Sequence, residues 1–99
     1  MKLCKVIGFA TASLKVEGFS PYKMVIVKSM DDHGSPVGDP FLAIDTFGAG
    51  LSEAVAVVTG APATNALADK GLPVDAAVIG LLDHISINKR EIYSRHKEG

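Results

Sequence analysis

Apolar and polar residues alternate from the start of the chain. The even positions Cys4, Val6, Gly8, Ala10, Ala12, Leu14 and Val16 are apolar or small, while the odd ones mix Lys5, Thr11, Ser13 and Lys15 with Ile7 and Phe9. A period of two predicts a strand. The run is longer than the ~3–10 residues usual for a strand, so Gly8 is expected to mark a bend or bulge. Glu17-Gly18-Phe19-Ser20-Pro21 closes it, and Tyr22 to Met30 reads as a second strand ending in the turn-forming loop Asp31-Asp32-His33-Gly34-Ser35-Pro36. Phe41 to Phe47 predicts a third strand, stopped by Gly48-Ala49-Gly50, where a tight loop or a close backbone approach is required. Ala54 to Thr59 predicts a fourth. Pro62 suits a first helical turn and Gly71 a stop, which predicts a short helix between them. Val74 to Ile87 then reads as a fifth strand broken only by Asp83.

Five strands with one short helix between the fourth and fifth predict an all-β fold, a small OB-like closed barrel. An α/β sandwich is disfavoured, because parallel pairing needs several crossover helices and the chain offers one. The 99 residues fit a single domain, 1–99, with 88–99 expected as a polar extension that frays unless a partner holds it. Both faces of the first and fifth strands carry apolar residues, yet a barrel has one inside. One short helix cannot cover the rest, so self-association is expected.

Composition narrows the function. Hydrophobic residues make up 47% of the chain, which excludes disorder, and no stretch has the ~20 predominantly apolar residues of a membrane helix. No membrane partner is expected. Ten basic against eleven acidic residues give a net charge of −1, so nothing draws nucleic acid in bulk. An OB-like barrel still raises nucleic-acid binding as the alternative function, since that fold can present aromatic platforms in a basic groove. The absence of Trp and the balanced charge argue against it. One cysteine, Cys4, cannot form an intrachain disulfide, and the opening residues lack the apolar core of a secretory signal. A reducing cytosol is the expected location.

Candidate chemistry is sparse. Gly48-Ala49-Gly50-Leu51-Ser52-Glu53 begins like a dinucleotide fingerprint but lacks the third glycine and leads into a strand. His33, His84 and His96 fall in a loop, a strand and the tail, without metal-ligand spacing. Asp83 and His84, adjacent on a strand, point to opposite faces. Ser52, Ser86 and Ser94 lack a nucleophile elbow, and Cys4 lacks a recognisable base. Asp45 and Asp83, polar residues inside apolar strands, suggest buried hydrogen bonds or an interface. No catalytic residue, metal site or cofactor is expected, and the chain does not read as an enzyme.

Several segments together carry a resemblance. They are Met1-Lys2-Leu3-Cys4-Lys5-Val6-Ile7-Gly8, then Gly38-Asp39-Pro40-Phe41-Leu42-Ala43-Ile44-Asp45-Thr46-Phe47-Gly48-Ala49-Gly50, Val57-Val58-Thr59-Gly60, and Pro73-Val74-Asp75-Ala76-Ala77-Val78-Ile79-Gly80-Leu81-Leu82-Asp83. In order and spacing, over roughly residues 1–87, they resemble the EutN/CcmL family of pentameric vertex proteins of bacterial microcompartments. The segment Gly60-Ala61-Pro62-Ala63-Thr64-Asn65 departs from the Ser-rich, Arg-containing stretch common there, so no role is carried onto it. The resemblance implies a homopentamer at the vertices of a carboxysome-like shell in the bacterial cytoplasm, beside hexameric shell proteins. Asp45, Thr46, Gly48, Ala49 and Gly50 are then expected around the five-fold axis or at a subunit interface, because two glycines flanking Ala49 permit close backbone approach.

Overall fold

A computed structural model describes residues 1–10, 23–60 and 75–95. The expected helix after Pro62, the turn at 17–21 and the continuation of the first strand beyond Ala10 lie outside the described residues. Within them the chain forms β1 (Lys2–Ala10), β2 (Lys23–Met30), β3 (Pro36–Asp45), β4 (Ala54–Thr59), β5 (Ala76–Leu81), β6 (His84–Ile87) and β7 (Arg90–Ser94). The first five close into a barrel in the order β1-β2-β3-β5-β4, the all-β OB-like architecture expected from the strand pattern. Its seam between β3 and β5 is parallel and held by a single pairing, Ile44 with Ala77.

Val6 pairs with Val27, but Gly8 pairs with Ile26, so Ile7 is the extra residue of a bulge and β1 bends just before Gly8, as expected. β3 begins earlier than Phe41. Val27 pairs with Phe41 and Ser29 with Val37, so the irregularity absorbs Gly38-Asp39-Pro40, with Gly38 at φ 83°. The expected fifth strand is instead two. β5 stops at Leu81, where Leu82 N–H donates to Ala54 O (3.0 Å), and β6 leaves the barrel to pair with β7. Residues 90–94, expected to extend freely, form the second strand of that hairpin. Its turn holds Asn88 and Lys89 at φ 52° and 64°, the two left-handed residues of a type I′ hairpin.

A five-stranded barrel is narrow, and its interior is filled by small side chains. Cys4, Val6, Val25, Val27, Ala43, Ala49, Val55, Val57, Ala76 and Val78 form the core, and the largest fully buried side chains are valines. Strand alternation then places two lysines at the barrel mouths. Lys2 follows the inward phase of Cys4 and Val6, and its Nζ lies 5.4 Å from the Phe41 ring centroid. Lys23 follows that of Val25 and Val27, with its Nζ 4.5 Å from the Phe9 ring. Both lysines are exposed, and each ammonium sits on an aromatic face. Burial pushes the Cys4 thiol pKa up, outweighing the opposing pull of Lys2 and a hydrogen bond with Ser29, so Cys4 is an inert core residue.

Candidate assembly site

The loop from Asp45 to Glu53 is built around two carboxylates. Asp45 ends β3 with its side chain only 3% exposed. Its Oδ1 accepts the Phe47 N–H (2.8 Å) and its Oδ2 the Ala49 N–H (2.6 Å), so the carboxylate folds the chain back on itself and terminates the strand. Lys23, the cross-strand neighbour of Asp45, donates from Nζ to the Ala49 carbonyl. Glu53 Oε1 accepts the Gly50 N–H (2.5 Å), and its Oε2 meets Arg95 Nε at 2.7 Å. Two backbone bonds, Ser52 N–H to Val6 O (2.9 Å) and Val6 N–H to Glu53 O (3.0 Å), fasten the loop to β1 beside its bulge. The loop is thereby tied to β1, β2 and the segment following β7.

This geometry divides the sequence-predicted residues. Asp45 and Ala49 are buried inside the protomer and shape the loop, whereas Thr46 and Gly48 are exposed and Gly50 is half-buried. Each glycine has a reason within its own chain. Gly48 sits at φ 85°, which a side chain would strain, although a Cβ there would meet nothing within 4 Å. A Cβ on Gly50 would come within 2.9 Å of Glu53 Oε1. Close approach of a second copy is therefore not needed to explain either glycine. Phe47 and Leu51, 51% and 60% exposed, present large apolar side chains from the same loop. Sequence reasoning does not select them: Phe47 reads as the last residue of the third strand, which in fact ends at Asp45, and for Leu51 the available signal is an apolar residue beside a glycine turn.

Beyond the loop, Leu3, Ile7, Phe9, Val37 and Leu42 also expose large apolar side chains. The polar residues singled out in the sequence do not converge. Asp83 lies in the break before β6 and, rather than being buried, pairs at the surface with Arg95 (3.5 Å), while His84 Nε2 approaches Glu91 at 3.9 Å on the hairpin. A cleft of about 530 Å³ separates the loop from β7, lined by Lys5, Glu53, Tyr93 and Arg95 among others, with the Arg95–Glu53 ion pair bridging its two sides. Among the described residues no three His, Cys, Asp or Glu side chains gather as metal ligands.

The family model described as ethanolamine utilisation protein EutN/carboxysome matches residues 1–83, the whole barrel with its loop. The chain belongs to the EutN/CcmL family. Among EutN/CcmL relatives, the carboxysome shell vertex protein CcmL of Synechocystis sp. is 30% identical over 99 residues, covering 100% of this chain and 99% of its own length. The ethanolamine utilization protein EutN from Escherichia coli superposes with a TM-score of 0.86 at 33% identity, covering 98% of this chain and 100% of that one. The GrpN pentameric microcompartment shell protein from Rhodospirillum rubrum superposes at 0.74 and 32% identity, over 88% and 99% of the two chains.

Proposed function

We propose that this chain is a structural subunit of a bacterial microcompartment shell, assembling as a homopentamer that occupies the vertices and closes the shell beside hexameric shell proteins, within the bacterial cytoplasm. The observation that carries this reading is similarity along the full length to proteins named as shell vertex proteins, joined to superposition on a pentameric shell protein. The physical argument agrees. A flat sheet of hexagonal tiles cannot close, and five-fold units supply the missing curvature. The protein contributes shape, not chemistry, and the OB-fold nucleic-acid reading is not favoured.

In this reading the segment Asp45 to Gly50 faces the five-fold axis. Asp45 and Ala49 hold the loop rigid from inside, and Thr46, Phe47 and Gly48 form its exposed surface. Native mass spectrometry of the purified protein is expected to show five chains. A stable monomer at micromolar concentration overturns the proposal.

A further inference from the structure

We propose that the ring closes by seating the outer face of β2–β3 of one protomer on the outer face of β4–β5 of the next, an inference that rests on the homopentameric reading above. Five is odd, so the ring cannot be built from two-fold contacts in which a patch meets itself. Every protomer must present two different, complementary patches, one to each neighbour. The barrel carries such a pair.

On one flank, Val25, Val27 and Ala43 point into the core, so alternation turns Ile26 and Leu42 outward. The two are direct cross-strand partners, and Leu42 is 50% exposed. Ile26, half-buried, leans over Gly8, where a Cβ would sit 3.6 Å from Ile26 Cδ1. The result is an apolar ridge. On the other flank, Cys4 and Val55 point inward, and Leu3, Ala56 and Gly80 lie in one register row across β1, β4 and β5. A Cβ on Gly80 would meet nothing within 4 Å, so the surface is low where Ala56 and Gly80 adjoin and rises at Leu3. That is a shallow apolar trough.

Lys28 continues the ridge face two residues beyond Ile26 and lies directly opposite Lys5, a like-charge pairing that disfavours the isolated protomer. Asp75, exposed, immediately precedes β5 and lines one cleft with Asp39 and Leu42 of β3. Neither Lys28 nor Asp75 has an ion-pair partner among the described residues. Ridge and trough therefore differ in shape, as a head-to-tail contact between copies requires.

The test uses the full chain with Leu42→Arg on the ridge and Gly80→Arg in the trough, and Val37→Arg, an exposed position off both faces, as control. Wild type and control are expected to be pentameric by native mass spectrometry, while each face variant loses pentamer at least tenfold and still unfolds cooperatively. Mixed in equal amounts, the two face variants retain one intact ridge and one intact trough between them. Cross-linking is then expected to trap unequal pairs at least tenfold over either variant alone. A pentamer surviving either substitution overturns the assignment, as does a mixture without that excess; a ridge that instead binds a hexameric neighbour gives the first of these results. A monomeric wild type overturns the pentamer itself, not the choice of faces. If a variant fails to fold, Ile26→Glu and Ala56→Glu probe the same two surfaces.

Discussion

Gly48→Ala and Gly38→Ala form a matched pair that asks whether the β3–β4 loop packs against other copies. Both glycines have left-handed backbone, φ 85° and 83°, and at both a Cβ would meet nothing within 4 Å of its own protomer. The strain of placing an L-residue there is about 1–2 kcal/mol in each case. For a domain of this size that lowers the melting temperature by roughly 5–15 °C, equally for the two variants when ring assembly is prevented. Assembly separates them. If Gly48 lies against a symmetry copy, a further penalty of about 1 kcal/mol at each contact sums to about 5 kcal/mol around the ring, more than three orders of magnitude in the association constant. Serial dilution with native mass spectrometry reads this directly, and Gly48→Ala is expected to dissociate at far higher concentration than Gly38→Ala. Equal pentamer yields across the series would refute placement of the loop in contact around the axis. Gly34 is unsuitable as the control, because its Cβ would sit 2.6 Å from the Ile92 carbonyl oxygen and the substitution would disturb the fold itself.

Three further outcomes follow from the hydrogen bonds and ion pairs. Asp45→Asn replaces one acceptor with an amide that faces an N–H donor in a buried site, and is expected to cost about 1–3 kcal/mol in chemical denaturation, whereas Asp39→Asn, on an exposed carboxylate, is expected to change little. Arg95→Ala removes a partly exposed ion pair with Glu53 and is expected to cost only about 1 kcal/mol globally, but to speed amide exchange in β7 selectively; uniform protection across the hairpin would show that Arg95 does not hold it. The Asp31 carboxyl pKa is lowered from its usual value of 3.8, first by the Ser35 N–H and then by the His33 N–H, both 2.9 Å from Oδ1. A depressed carboxyl stabilises the fold above its unfolded pKa and loses that contribution as pH falls through the folded one, so the melting-temperature gap between wild type and Asp31→Ala is expected at pH 7 and to shrink below about pH 4.

Period-two alternation predicts the barrel strands because a five-stranded barrel buries one side of every strand, and the fourth strand has the same bounds in the sequence pattern and the structure, Ala54 to Thr59. Boundaries failed where tertiary contacts overrule local signals. Gly38-Asp39-Pro40 reads as turn chemistry, yet β3 carries it through as an irregularity. Leu82-Asp83 lies within a run that reads as one strand, and what divides it is Leu82 N–H bonding back to Ala54, a contact between residues far apart in sequence. The hairpin leaves no local signal because its turn is Asn88-Lys89, not Asn-Gly, so Lys89 is held left-handed without a glycine to mark it.

At the loop, the sequence marks where the backbone must turn sharply but not which groups turn it. Asp45 reads as an anomaly in an apolar strand, and its role as acceptor for Phe47 and Ala49 exists only once the chain has folded back. Glu53 gives still less warning, since its two oxygens serve Gly50 on one side and Arg95 on the other, the latter far along the chain. The surplus of apolar residues on strand faces is legible, by contrast, because counting needs no geometry: a narrow barrel is filled by valine and alanine, and Ile26, Leu42 and Leu3 are left over. What that surplus meets is a question about shape. Cross-strand register sets Ile26 beside Leu42 and Ala56 beside Gly80, and so turns a list of leftover hydrophobics into a ridge and a trough on different flanks of one chain.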